Sequence, residues 1–144
     1  MDWFWSLVNG TAAWREPAQH ILAIGVFVAV WIWGRGPERA CATIWVGWIV
    51  LNSGANAALA WIDLSDAAQM TAFQVKTLAL DIYMMIGFGL VALYANRSYP
   101  IWCAGLQLIS LAGSALRVFS SDSGNVAYVV MTVGAGWIQL LLIA

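Results

Sequence analysis

Asp81 stands near the middle of KTLALDIYMMIGFGLVALYA, residues 76–95, a stretch otherwise suited to hydrocarbon. An unpaired carboxylate at the centre of a bilayer costs on the order of 2.5–3.5 kcal/mol on insertion scales, so it must be protonated, paired or in contact with water. Further polar residues recur at helical spacing: Asn52 and Asn56 four apart, Thr77 and Asp81 four apart, and Ser110, Ser114 and Arg117 at intervals of four and three. Each set falls on one helix face. Such groups can take up and release a proton, bind a polar solute, or tie helices together by hydrogen bonds. Lys76 lies about 140° around the helix from Asp81, a poor intrahelical pair, which directs Asp81 toward Asn52 or Arg117 on another helix.

Depth groups the same residues. A span entered near Thr71 carries Asp81 roughly 15 Å inward at about 1.5 Å per residue, close to the midplane of a core about 30 Å thick. Asn52 and Ser110, counted inward from Trp61 and Phe119, arrive at a similar level, roughly 13–15 Å. Asn56, Lys76 and Ser114 form a shallower layer about 7 Å in, with Arg117 and His20 nearer the surface. The expected intramembrane polar cluster is therefore Asp81, Asn52, Asn56, Ser110, Ser114, Lys76 and Arg117. The small residues of SGANAALA, 53–60, and the side chains of Gln107 and Gln139 are expected to serve helix association, and His20 to occupy the first turn of a span.

Other chemistries find little support. One histidine and seven acidic residues assemble no Ser-His-Asp set, paired carboxylates or phosphate loop, so an enzyme is not expected. Cys41 and Cys103 lie far apart in sequence and far from His20, without metal or haem spacing, and no cofactor is expected. A net charge of −1 without any run of Lys or Arg argues against nucleic acid as a partner.

The elements that position these residues follow from composition. Of 144 residues 62% are hydrophobic and 9% charged, and the mean hydropathy is +0.80, which points to lipid as the solvent. The apolar runs have the length of helices, and the alternation of a transmembrane barrel is missing. The fold expected is all-α: an integral membrane bundle of five transmembrane helices, at about 18–34, 40–62, 71–95, 100–119 and 126–144. Residues 1–17, interrupted by Asn9, Gly10, Arg15 and Pro17, are expected to lie at the interface as a lead-in, with Pro17 opening the first span. No basic segment precedes the first apolar block, so a cleaved signal peptide is not expected. RGPER, 35–39, reads as a tight hairpin loop, DLSDAAQM, 63–70, and SSDSGN, 120–125, as polar connections.

Arginines in RGPER and NRSYP bias those loops to the cytoplasm, placing the N-terminus outside and the C-terminus inside. Trp31, Trp33, Trp45, Tyr94, Tyr99 and Trp102 are expected at one membrane face, and Trp3, Trp5, Trp14 and Trp61 at the other. IWVGWIVLNSGANAAL, 44–59, aligns without a gap on IWCAGLQLISLAGSAL, 101–116. That similarity reads either as two parallel two-helix units plus a fifth helix, or as the general likeness of Ala- and Leu-rich helices.

ANRSYPIWCAGLQL, 95–108, resembles a segment of small, uncharacterised polytopic inner-membrane proteins of proteobacteria, in which Asn-Arg, an aromatic, Pro and an aliphatic-Trp pair open a transmembrane helix. The resemblance implies a bacterial cytoplasmic membrane and no particular activity.

Two functions are expected in order. The first is a structural or accessory subunit whose partners are the bilayer and other membrane helices, its own copies or a larger complex. The second is a small proton-coupled transporter or channel in which Asp81 changes protonation while Asn52, Asn56, Ser110 and Ser114 line a path. The inner half of such a path, around 44–51, 84–95 and 101–106, is expected to be dry.

Overall fold

The structure, a computed structural model, describes residues 2–63, 65–119 and 130–144, with side chains for 17–63, 65–118 and 131–144. The described residues form an all-α bundle without strands. Its helices are α1 (Asp2–Trp33), α2 (Gly36–Ala60), α3 (Asp66–Tyr94), α4 (Tyr99–Phe119) and α5 (Ala135–Ile143), the last preceded by a π-helical turn at Val130–Gly134. The expected connection 120–125 and the start of the last helix at 126 lie outside the described residues, as do the side chains of Trp3, Trp5 and Trp14.

Each helix packs on the next in sequence, and α5 closes the bundle by packing on α4, α1 and α2. α3 and α4 share the most extensive contact. Only α3 and the stretch Tyr99–Val118 of α4 are long and apolar enough, among the described residues, to cross a membrane; Pro17–Trp33 and Met131–Ile143 are shorter apolar segments. Five spanning helices are therefore more than length and composition establish. α2 falls short although it has 25 residues, because Arg39, Glu38, Asn52 and Asn56 dilute its apolar content.

Three boundaries differ from expectation for identifiable reasons. Pro17 does not open a helix: α1 runs through it from Asp2. A proline inside a helix removes one N–H bond and crowds the carbonyl four residues earlier, a strain a helix can absorb as a bend without ending. RGPER is not a loop, because only Gly34 and Arg35 connect α1 to α2. Pro37 sits in the first turn of α2, where its missing N–H costs nothing, and Glu38 accepts a hydrogen bond from the Arg35 backbone N–H at 3.1 Å. α3 begins at Asp66, in the polar connection, with an extended Ser65 before it and an acidic residue in its first turn. α4 starts as expected, with the N–H groups of Ile101 and Trp102 bonded to the Ser98 carbonyl.

The apolar core occupies one end of the bundle. Cys41, Ala42 and Trp45 of α2 meet Met84 and Phe88 of α3, Cys103 of α4, and Leu140 and Ile143 of α5. Trp45 is thus a core residue, 3% exposed, and not a member of an aromatic girdle. Its ring stands edge-on to Trp48 at 5.5 Å, and Gly136 permits the approach: a Cβ there would lie 3.3 Å from Trp45 and 2.6 Å from the Gln19 amide. Trp31, Trp33, Trp61, Tyr94 and Trp102 are exposed. His20 lies well inside α1, its ring edge-on to Trp48 at 6.1 Å. Outward faces are apolar as well: Ile21, Ile24, Val28 and Ile32 make an exposed row on α1, and Ile82, Ile86, Leu90 and Leu93 another on α3.

Candidate functional site

The polar site begins with one face of α4. Cys103, Gln107, Ser110 and Ser114 follow at intervals of four, three and four, so their side chains line one stripe, and all are buried. That stripe faces Asp81, which is itself buried on α3. Gln107 Nε2 donates to Asp81 Oδ1 at 2.9 Å, Ser110 Oγ donates to the same oxygen at 3.2 Å, and Ser114 Oγ donates to Oδ2. Gln107 Nε2 also approaches the Asp81 carbonyl at 3.3 Å. The carboxylate is therefore held by three neutral donors, all from α4.

A second tier orients the first. Gln139 of α5 donates from Nε2 to Gln107 Oε1 at 3.0 Å and to the Cys103 carbonyl at 3.1 Å. An amide side chain has distinct ends, and an acceptor end engaged by Gln139 leaves the NH₂ of Gln107 for Asp81.

Nearer the rim, Lys76 Nζ donates to Asn56 Oδ1 at 2.5 Å and lies 4.7 Å from the centre of the Phe73 ring. Arg117 lies over the same ring at 5.9 Å and does not bond Asp81. Thr77 donates to the Phe73 carbonyl of its own helix at 2.9 Å, the usual four-residue back-bond, which takes its hydroxyl away from Asp81.

These groups border a cavity of about 400 Å³ to which every helix contributes: Gln19 from α1; Trp45, Trp48, Asn52 and Asn56 from α2; Lys76, Leu80, Asp81 and Met84 from α3; Gln107 and Ser110 from α4; Gly136 and Gln139 from α5. Thr132 and Val133 of the π-helical turn complete its wall. π turns widen a helix by one residue per turn and recur beside functional sites. Asn52 is 6% exposed, borders the cavity, and has no hydrogen-bond partner among the described residues. Met84 borders the cavity and also belongs to the apolar core, where Phe88, Cys41 and Cys103 are fully buried and do not border the cavity.

Of the residues singled out in the sequence, Asp81, Ser110 and Ser114 are bonded together, Asn56 and Lys76 are bonded as a separate pair, Asn52 faces the same cavity without joining either group, and Arg117 stands apart at Phe73. The link expected from Asp81 to Asn52 or Arg117 is replaced by the link to α4. Gln107 and Gln139 belong to this cluster, although the sequence assigned them only to helix association. Gln107 had a usable signal, standing three residues before Ser110 on the same stripe. Gln139 had none, since its partner depends on how α5 is set against α4.

Among the described residues no group of three or more His, Cys, Asp or Glu could hold a metal ion. Compared with known protein families, curated proteins and solved structures, the chain matches none.

Proposed function

We propose that the protein is a small multi-pass protein of the bacterial cytoplasmic membrane that binds a small polar solute in the cavity at Asp81, as the binding half of a proton-coupled transport cycle. One observation carries this reading: a buried carboxylate, Asp81, and the amide of Asn52, which has no hydrogen bond to another described residue, border one cavity lined from every helix. A mainly apolar cavity between helices with a few convergent polar groups is where ligand sites of bundle proteins form. Exposed aliphatic rows on α1 and α3 support lipid as the surroundings, since contiguous apolar surfaces of this kind are disfavoured in water. The N-terminus outside and the C-terminus inside follow from the arginines beside α2 and α4.

The packed apolar core next to Met84 supports one-sided access and not an open channel. In an alternating cycle, a protonated Asp81 would cross the low-dielectric step more cheaply than a charged one.

An accessory-subunit role rests on a different observation, the three bonds that α4 supplies to Asp81, which join α3 to α4 as interhelical bonds do. That role accounts for the bonds but not for the cavity or for Asn52. The two separate on one experiment: reconstitute the protein in liposomes on a solid-supported membrane and apply amines, amino acids, carboxylates and sugars in turn. Solute-evoked currents that vanish in Asp81→Asn, with the variant still eluting as folded protein, support transport. Folded wild-type protein that stays silent toward every class leaves only the accessory role.

A further inference from the structure

The charges bordering the cavity are ordered along its depth. Innermost is Asp81, whose partners Gln107, Ser110 and Ser114 are all neutral. They occupy about three of the four lone-pair directions of a carboxylate, and they solvate its charge without neutralising it. Asn52, on α2, offers a second buried acceptor among the residues bordering the same cavity. The wall there includes Trp45 and Trp48, rings of the kind that attract cations to their faces. The outer part differs in sign. Lys76 is held toward the rim by Asn56, one helical turn, about 5–6 Å, outward of Asn52. Along α3 the step from Asp81 to Lys76 is roughly 7.5 Å.

Resting on the binding reading above, we infer that the cavity takes a compact zwitterion, its ammonium innermost at Asp81 and Asn52 and its anionic group outward at Lys76. A plain amine satisfies only the deep end and a plain carboxylate only the rim. The separation between the two ends exceeds that of an α-amino acid, whose charged groups share one carbon, and matches an ω-amino acid with a short methylene chain. That chain would lie against Leu80 and the Trp48 ring. A volume of about 400 Å³ falls near the small end of ligand cavities.

Titration calorimetry on the purified protein in mild detergent tests this with four probes: ε-aminocaproate, hexylamine, caproate and glycine. ε-Aminocaproate should bind best, hexylamine about tenfold more weakly for want of the charged contact at the rim, and caproate and glycine weaker still. Asp81→Asn should weaken ε-aminocaproate by about tenfold or more. Lys76→Met, at the rim where folding is least at risk, should bring ε-aminocaproate down to the level of hexylamine while leaving hexylamine unchanged. Thermal melts of both variants check that they are folded. The inference is overturned if caproate binds as well as ε-aminocaproate, if none of the four binds, or if Lys76→Met keeps the preference. Currents evoked by sugars or carboxylates alone would preserve the binding reading and remove this one.

Discussion

Gln139 Nε2 reaches Gln107 Oε1 at 3.0 Å, and Gln107 in turn gives its own amide hydrogens to Asp81 Oδ1 at 2.9 Å. Three helices are thereby coupled through two amides and a carboxylate, with a direction set by Gln139. Without that donor, nothing among the described residues obliges Gln107 to present nitrogen and not oxygen to the carboxylate.

Gln139→Leu should consequently loosen the site more than the fold. Interhelical hydrogen bonds in membranes average about 0.6 kcal/mol and reach about 1.7, so two lost donations predict a drop of ~1–3 kcal/mol in mixed-micelle unfolding. Gln139→Glu discriminates further. Protonated, that side chain can still donate to Gln107; ionised, it can only accept, and it draws the Gln107 amide around so that oxygen faces Asp81. The Gln139→Glu protein should therefore approach wild type at acidic pH and fall away as pH rises. Equal stability of this variant across pH would remove the orienting role.

Replacement of Asp81 itself should sort by shape and by polarity. Asparagine keeps an oxygen for Gln107 and Ser110 and offers an NH₂ to the Ser114 hydroxyl, which can accept. Leucine leaves all three donors without their partner. The serines can turn to the carbonyls four residues before them, and Gln107 keeps only its longer bond to the residue 81 carbonyl at 3.3 Å, so the loss of the carboxylate predicts a penalty of about 1–3 kcal/mol for Asp81→Leu and less for Asp81→Asn. Unfolding midpoints in mixed micelles check the order; a leucine variant as stable as the asparagine one would contradict the bond network.

How much of this was legible beforehand divides along physical lines. α3 and α4 could be read because long apolar runs with polar ends announce a helix, and Ser110 could be matched to Asp81 because helical rise converts sequence position into depth. Composition could not say which helix turns its polar stripe toward which neighbour. Arg117 looked a natural counter-charge, yet its guanidinium lies by Phe73, and Ser114 stands at the level of Asp81 and not one layer above it. Trp45 shows the same limit, since an indole suits either an interface or a core, and the glycine at 136 that admits it is over ninety residues away. The continuation of α1 through Pro17 was hidden because proline is equally at home in a first turn and in a bent interior.

The cysteines offer a test of packing. Cys41 and Cys103 are both fully buried in the apolar core, so neither should react with maleimide in folded protein from either side of the membrane, and both should react after SDS unfolding. Orientation then needs introduced thiols in a cysteine-free background. Asn96→Cys, in the exposed turn before α4, should be labelled only from the cytoplasm, and Asp63→Cys, between α2 and α3, only from outside. Reversed labelling would invert the topology without touching the site.

Phe88 decides whether the cavity is closed on its inner side. It follows Met84, which borders the cavity, by one helical turn on the same face, and it is fully buried against the core that includes Cys41 and Cys103. Removing its ring leaves space in that core, at a cost of about 3–5 kcal/mol if the core does not collapse. Water that enters that space would join the Asp81 end of the cavity to the opposite side of the bundle. Phe88→Ala liposomes should accordingly leak protons where wild-type liposomes hold a pH gradient, and Phe88→Leu, which retains much of the volume, should leak less. Should Phe88→Ala fold and remain tight, the barrier would lie elsewhere, and one-sided access would lose its structural basis.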